Sequence, residues 1–262
     1  MNKLLTSIFA AMMLISASAC AETIYASKNI VTKNVTTGSF SGISTTSSVD
    51  VEYIQSPAQS IVISAPDNII DYVVVKVSGK TLKVGYKSPC NIVLHKSKVV
   101  VKVSAPNVSS FTTGSSGDID IKGTLDIAGD VTFNTASSGD IEAKSVKCKR
   151  LNATTSSSGD IEIDNAYCIT LMAKTQSSGD IKIKNVSATT VNATTQSSGD
   201  IKLTGTCTDA KYTTGSSGDI NAKSLRAVNV IATTNSSGDI YFNGKHAETR
   251  KSSSGDIHRS KN

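Results

Sequence analysis

The five-residue sequence Ser-Ser-Gly-Asp-Ile occurs eight times in this chain and constrains its fold more than any other feature. Successive glycines of this motif are 22, 20, 20, 20, 19, 20 and 17 residues apart. A nearly fixed period of this length is typical of repeat proteins, in which each repeat is one structural unit. The motif glycines are Gly117, Gly139, Gly159, Gly179, Gly199, Gly218, Gly238 and Gly255.

Apolar residues keep fixed positions relative to each motif glycine. They recur two, four, seven, nine, twelve and fourteen residues after it. Apolar residues two apart indicate a strand with one face turned inward, so we expect these positions to be buried and positions three and five to be exposed. The step of five residues from one pair to the next indicates a change of direction. After Gly139 the apolar residues are Ile141, Ala143, Val146, Cys148, Leu151 and Ala153.

The period and the pattern together exclude most repeat architectures. Helical repeats need runs of ten or more residues with apolar spacings of three and four, and the chain has none. The frame of a leucine-rich repeat and the length of a propeller blade are also missing. We therefore predict an all-β fold, a right-handed parallel β-helix with about 20 residues per turn. The right hand follows the general preference of parallel crossover connections.

The motif itself is predicted to form the corner of each turn. Glycine can adopt the positive φ that a sharp corner needs, and Ser and Asp side chains can bond to the turn backbone. We expect the motif glycines to be structural turn residues for this reason. Identical corners would stack on one another along the coil.

Stacked corners would place eight aspartates in one column. Their carboxylates must be solvated or hydrogen-bonded, because like charges at the strand spacing repel each other. A structural role in the turn is favoured, and calcium binding is the alternative, since carboxylates are calcium ligands. No other metal site is expected. The aspartates are Asp118, Asp140, Asp160, Asp180, Asp200, Asp219, Asp239 and Asp256.

The charge of the chain indicates a solvated surface. The formal net charge is +6, and lysines are scattered singly along the strands, as at Lys182, Lys184 and Lys202. Nucleic-acid binding would need a dense basic stripe with aromatic residues for stacking. We therefore expect no nucleic acid as a partner, and we expect no cofactor.

The N-terminus reads as an export signal. Lys3 is followed by an apolar run and then by small residues, so residues 1–19 are predicted to be a signal peptide. Cys20 follows Ala17-Ser18-Ala19 and resembles the acylated cysteine of a lipobox, which would attach the protein to a membrane. Ordinary cleavage after Ala19 or Ala21 is the alternative. Residues 20–33 are predicted to be a tether.

Four cysteines follow Cys20, and two of them share one position of the repeat. Cys148 and Cys168 both lie nine residues after a motif glycine, so we predict that their thiols stack inside the coil. Whether they form a disulfide is left open, because their spacing permits the bond but their parallel side chains would strain it. Cys207 is expected to stay free.

Residues 34–108 carry strands without the 20-residue period. Gly79-Lys80 reads as a hairpin turn, and Ser47-Ser48-Val49-Asp50-Val51 looks like a degenerate copy of the corner. We predict an atypical N-terminal β cap region over residues 34–108 and regular β-helix repeats over residues 109–262.

Several segments together resemble a known family. They include Phe40-Ser41-Gly42-Ile43, the run from Ile61 to Tyr72, Gly79 to Tyr86 and Ser115 to Ile119. They are similar to the putative auto-transporter adhesin, head GIN domain family. The resemblance implies a β-helical envelope protein exported by a Gram-negative bacterium, often lipid-anchored, with an adhesive role and no established catalytic residues.

The prediction for function is accordingly a non-enzymatic exported cell-envelope protein, either an adhesin or a scaffold. It would lie in the periplasm or at the outer membrane or cell surface, and its ligand would be a glycan or a protein. No catalytic residue is predicted, because the motif serines have no nearby base and the repeats leave no length for long loops. The alternative is a carbohydrate-binding or polysaccharide-degrading β-helix.

Overall fold

The computed structural model describes residues 23–87, 91–95 and 97–260. These residues form β-strands and one short 3-10 helix, Ile70–Tyr72. Within them, no helix is long and apolar enough to cross a membrane. The strands are β1 (Thr23–Tyr25), β2 (Ile30–Asn34), β3 (Gly42–Thr45), β4 (Asp50–Gln55), β5 (Ser60–Pro66), β6 (Val73–Ser78), β7 (Thr81–Tyr86), β8 (Asn91–Val93), β9 (Val100–Ala105), β10 (Ser110–Thr113), β11 (Ile119–Asp126), β12 (Asp130–Thr135), β13 (Ile141–Thr155), β14 (Ile161–Ile163), β15 (Ala166–Thr175), β16 (Ile181–Thr195), β17 (Ile201–Thr214), β18 (Ile220–Thr234), β19 (Ile240–Lys251) and β20 (Ile257–Arg259).

From β10 onwards the chain is a parallel β-solenoid, as predicted. Strands one repeat apart pair in parallel, so that Ile161 lies beside Ile181, which lies beside Ile201. β16, β17 and β18 each follow almost a whole turn of the coil, bending at its corners. The period of the motif is therefore the length of one turn.

The inward positions predicted from the pattern are buried in the regular turns, except at position nine. Ile161, Ile181 and Ile201 are fully enclosed, and the residues four, seven, twelve and fourteen after Gly139, Gly159 and Gly179 are buried. The turn after Gly199 is one residue shorter, so its buried residues Ala210 and Tyr212 lie eleven and thirteen residues after the glycine. At position nine, Cys148 and Cys168 are only half-buried, because this position lies next to a corner of the coil. The outward positions three and five are exposed or half-exposed and are charged or polar.

The outward charges stack in pairs of opposite sign. Lys182 lies 3.0 Å from Glu162, and Lys184 lies 3.0 Å from Asp164. Lys144 also reaches Asp164, at 2.8 Å, so this carboxylate is held between two turns.

The N-terminal region forms the base of the coil out of chain order. β3 lies between β7 and β10, and β4 lies between β9 and β11, all in parallel. Residues 42–55 thus form a turn that lies between two later parts of the chain, with β7 and β9 on one side and β10 and β11 on the other. β6 and β7 form the hairpin predicted at Gly79-Lys80, with Gly79 at a φ of 63°.

The tether predicted for residues 20–33 was wrong for the part that the structure describes. β1 pairs with β8, and β2 pairs antiparallel with β5. Residues 27–29 are held as well, because the hydroxyl of Ser27 and the amide of Asn29 both donate to Asp67. The alternating pattern was too short there to predict a strand. The signal sequence with Cys20, and Cys90, lie outside the described residues.

The C-terminal turn is closed by polar side chains. Ala247, Thr249 and Lys251 stand above Val230, Ala232 and Thr234 and are exposed, where earlier turns bury apolar residues or threonine. Terminal repeats of solenoids need such a polar outer face. The Arg259 guanidinium also donates to the carbonyl oxygens of Gly244, at 2.7 Å, and Lys245, at 2.8 Å, on the open strand edge.

Candidate functional site: a trough beside the aspartate column

The aspartates of the motif form a hydrogen-bonded ladder along the coil. The backbone N–H of each aspartate donates to the Oδ1 of the aspartate one turn below, as from Asp180 to Asp160 at 2.7 Å. The ladder is continuous from Asp118 to Asp256. It extends down to Asp50, whose Oδ1 accepts from the N–H of Asp118 at 3.2 Å. The degenerate corner predicted around Val49 is therefore the first step of this ladder.

A column of buried threonines completes each corner, and the sequence analysis missed it. Thr155, for example, is fully buried, and its hydroxyl donates to the carbonyl oxygen of Gly179 at 2.9 Å. The apolar pattern ends two residues earlier, at Ala153, so it gave no sign that this threonine is buried. The same bond is made by Thr45, Thr113, Thr135, Thr155, Thr175, Thr195 and Thr214.

The reason given for the motif glycines was wrong. In the described chain, positive φ occurs at Gly79, Gly123 and Gly205 and at two other residues, and no motif glycine is among them. Glycine is needed because of close approach: a Cβ on Gly179 would lie 2.2 Å from the carbonyl oxygen of Gly159. The motif glycines are structural residues as predicted, but they allow the turns to stack rather than the chain to bend.

An open trough of about 410 Å³ runs beside this ladder, and we call it the axial trough. One wall is the aspartate column and the other is the column three residues after each glycine. The trough crosses five turns. Its polar and aromatic lining consists of Asp160, Glu162, Asp180, Lys182, Asp200, Lys202, Asp219, Asn221 and Tyr241.

The outer wall changes character along the coil. Its residues stack in register in the order Lys102, Glu52, Asp120, Glu142, Glu162, Lys182, Lys202, Asn221, Tyr241 and His258. The lower part adjoins a smaller hollow of about 190 Å³ whose lining includes Asp118, Asp120, Asp140 and Glu142. The lower end is therefore acidic, whereas the axial trough mixes carboxylates with ammonium, amide and phenol groups.

Burial and ion pairing move carboxylate pKa values in opposite directions here. Desolvation raises the pKa of Asp140 and Asp200, and the neighbouring aspartates of the column add to the effect. Hydrogen bonds from Lys144 and Lys184 lower the pKa of Asp164 to about 2. The column thus favours protonation of some of its members, while the ion pairs outside it stay charged.

Tyr241 forms the upper end of the trough, and the sequence analysis did not single it out. Its ring stacks on His258 at 4.7 Å, and the Lys223 ammonium lies 4.1 Å from the ring centre. Its hydroxyl donates to Asp239 Oδ2 at 3.1 Å. Tyr241 and His258 both lie three residues after a motif glycine, so the register of the last two turns stacks them on each other.

The structure offers no support for the calcium alternative at the aspartates. The described residues contain no group of three or more acidic, His or Cys side chains arranged to hold a metal ion. Each turn supplies one aspartate, and its Oδ1 already accepts a backbone N–H.

Cys148 and Cys168 stack in register, as predicted, and both thiols are free. Cys207 is in the same column, beyond Ala188, and is also free. Burial raises the pKa of Cys148 to about 12 and of Cys168 to about 11, so few of these thiols are ionised near neutral pH. The pair is therefore poorly reactive in this environment.

Comparison with known proteins supports the fold over most of the chain. The family model described as "Putative auto-transporter adhesin, head GIN domain" matches residues 39–167 and 165–262. No curated protein matches the chain.

Three solved structures are similar along nearly their whole length. A protein described as a putative lipid binding protein from Parabacteroides distasonis has a TM-score of 0.82 and 25% identity, covering 92% of this chain and 100% of its own. A putative adhesin from Parabacteroides merdae has a TM-score of 0.79 and 19% identity, with the same coverage. One from Bacteroides fragilis has a TM-score of 0.71 and 20% identity, covering 90% of this chain and 100% of its own.

Proposed function

Because the chain belongs to the putative auto-transporter adhesin, head GIN domain family, we propose that it is an exported, non-enzymatic adhesin that binds a surface ligand along the axial trough. The ligand proposed is a glycan, with a protein as the second choice. The observation that carries this proposal is the lining of the trough, which repeats hydrogen-bonding groups at the strand spacing across five turns.

The chemistry of the trough suits a hydrated, extended ligand. Carboxylates of the aspartate column accept hydrogen bonds, whereas Lys182, Lys202 and Asn221 donate them. The repeat of about 4.8 Å between turns offers similar groups to successive units of a polymer. The trough is shallow and open, which favours reversible contact along a chain over enclosure of a small molecule.

A glycan and matrix-protein array probed with the mature chain tests the proposal. Lys202→Gln should weaken capture of the bound ligand severalfold, because Lys202 projects into the trough. Lys211→Gln is a matched control, since it lies on the same strand β17, is equally exposed and faces away from the trough. Equal capture by the two variants, or no captured glycan or protein, would contradict the proposal.

Lipid vesicles belong in the same experiment because one similar structure is described as a lipid binding protein. An apolar surface hollow of about 210 Å³ is lined in part by Ile54, Val62 and Val103. This is smaller than the roughly 300 to 1,000 Å³ of most small-molecule sites. We therefore expect less binding to vesicles than to the glycan array.

The same bound glycan distinguishes an adhesin from a degrading enzyme. After long incubation with the mature chain, the proposed function leaves the glycan at its original length. Shortened or unsaturated products, seen by mass spectrometry, would favour the polysaccharide-degrading alternative.

Export and lipid attachment are proposed from residues 1–20. Expression in a Gram-negative host with a labelled fatty acid should label the wild-type chain in the membrane fraction and leave Cys20→Ser unlabelled. Label on neither chain, with cleavage at Ala19 or Ala21 found by mass spectrometry, would support ordinary secretion. A full-length chain in the cytoplasm would contradict export.

A further inference from the structure

Four large apolar side chains are exposed on one region of the solenoid that the axial trough does not include. Ile169 is 53% exposed, Met172 46%, Val228 43% and Ile231 43%. They lie ten and thirteen residues after Gly159 and after Gly218, at one corner of the coil and on the side that follows it. The same two positions are therefore apolar in two different turns.

The two apolar pairs are separated by polar turns. Three turns of strand pairing lead from β15 to β18, so the pairs lie about 14 Å apart along the axis. Between them, the corner carries Thr189 and Thr208, and the following side carries Asn192 and Lys211. The face of one copy is therefore complementary to the same face of a second copy whose solenoid axis runs in the opposite direction.

We propose that this face joins two copies of the chain into an antiparallel dimer. A two-fold axis across the face, midway between the turns of Gly179 and Gly199, brings Ile169 of each copy against Val228 of the other. It also brings Met172 against Ile231. Such an isologous contact uses one patch twice, as two-fold dimers do.

Charges on the face are compatible with this arrangement. In the polar centre, Asn192 meets Lys211, so no like charges face each other there. Towards each end, Arg150 lies diagonally across from Glu248. Each already has an ion pair in its own chain, with Asp130 and Arg250, so the contact between copies adds only a weaker attraction. The like-charged pair Lys149 and Lys245 meets only at the rim, where solvent screens it.

The size of the face sets the expected strength. Six turns at about 4.8 Å, by about 17 Å across five residues, give roughly 500 Å² per copy and about 1,000 Å² in total. That lies at the lower end of specific interfaces, so a micromolar dimer is expected. A second copy fits better than an unrelated partner or a lipid surface, because only a copy related by two-fold symmetry requires two equal patches at equal positions.

Sedimentation of the full chain with Cys20→Ser, under reducing conditions, tests the proposal. The wild-type chain should dimerise at micromolar concentration, whereas Ile169→Lys and Val228→Glu should each weaken the dimer at least tenfold. Mixing the two variants should restore it, because Lys at 169 of one copy then faces Glu at 228 of the other. Ile54→Lys, which changes an equally exposed isoleucine on another face, should leave the dimer intact.

Each other outcome overturns the dimer. The proposal fails if the wild-type chain stays monomeric at 100 times the micromolar concentration at which the dimer is expected. It also fails if the variants still dimerise, or if their mixture stays monomeric. Circular dichroism and melting confirm that the variants are folded. If either variant is not, Met172→Lys and Ile231→Glu form a second pair with the same expected behaviour. Vesicle binding by a wild-type monomer, lost in Ile169→Lys, would assign the face to lipid instead.

Discussion

The space beside each motif glycine is filled by a carbonyl oxygen of the turn below. At Gly179 this is the oxygen of Gly159, which also accepts the hydroxyl of Thr135. Any side chain at Gly179 would have to displace that oxygen and break the buried bond. Val49, at the foot of the column, has no motif corner below it, which explains why the first step of the ladder can lack glycine.

Replacing Gly179 by valine should therefore destabilise the protein by about 3 kcal/mol or more, since overpacking against backbone cannot relax easily. Gly255→Val should cost much less, although its Cβ would meet the Gly238 carbonyl oxygen at 2.3 Å, because the described chain has no turn above it and this corner can shift. Urea unfolding measures both. Gly38→Val, at a site with no atom within 4 Å of the added carbon, is the control.

Comparable losses at Gly179 and Gly255 would show that the stack does not constrain the middle more than the end.

Tyr212 presents a different residue-scale case. It is fully buried at a position where the turns below and above carry alanine, and its hydroxyl has no hydrogen-bond partner among the described residues. Tyr212→Phe should stabilise the protein by about 1 kcal/mol, because an unpaired buried hydroxyl is costly. Thermal melting checks this.

Tyr53→Phe is the matched comparison for Tyr212→Phe. Tyr53 is equally buried, but its hydroxyl donates to the Ala105 carbonyl at 2.7 Å, so the same change should destabilise. A loss of stability at both sites would mean that the Tyr212 hydroxyl has a partner in solution.

At the scale of one turn, two side chains form hydrogen bonds with an N–H and a carbonyl group of the corner that have no backbone partner. The aspartate Oδ1 accepts an N–H on the outside, and the threonine hydroxyl donates to a glycine carbonyl on the inside. Thr195→Val keeps the shape but leaves the Gly218 carbonyl without this donor, and should cost about 1 to 3 kcal/mol. Thr194→Val, which changes the adjacent outward threonine, should be nearly neutral by the same urea measurement.

The turn could be predicted from the sequence because its signals are local and repeated. Position within the period fixes which side chains face inward, and a shift by one residue would expose Ile161, Ile181 and Ile201 together. The stacked ion pairs of Glu162 and Asp164 follow from the same register. Eight copies of the motif made that register unambiguous.

Other features could not be predicted because they depend on contacts between turns. The threonine at position sixteen looks polar, yet its hydroxyl bonds with the next turn and is buried. The glycine looks like a residue of a sharp turn, but it is required because a carbonyl oxygen of the turn below approaches it closely. In the base, β3 pairs with segments that lie on both sides of it in space but later in sequence, which no local pattern indicates.

For the whole molecule, the aspartate column makes stability depend on pH. Desolvation raises the pKa of Asp50, Asp140 and Asp200 in the folded state. These groups bind protons more readily folded than unfolded, so their own contribution to stability should grow as pH falls through their raised pKa towards the ordinary value of 3.8. Asp164, with its lowered pKa, acts oppositely, and its contribution is lost between about pH 5 and 1.

The melting temperatures of the wild type and of Asp140→Asn, measured against pH, check the contribution of the column. Asp140→Asn keeps an oxygen for the N–H of Asp160 and removes one charge, so it should melt higher than the wild type at pH 7. The gain should shrink as pH falls towards 3.8, because the raised pKa lets the wild-type carboxyl bind a proton there. A gain from Asp140→Asn that stays the same at every pH would contradict the assignment.

Each corner bonds only with the corners directly below and above it, so every interior repeat is interchangeable with its neighbours. Duplicating or deleting one 20-residue repeat would leave no hydrogen-bond donor or acceptor of the corners without a partner. It would change neither the base nor the polar last turn. The distance between the two ends would change by about 4.8 Å at each such event. The length of the solenoid can therefore change in equal steps during evolution, while both ends keep their structure.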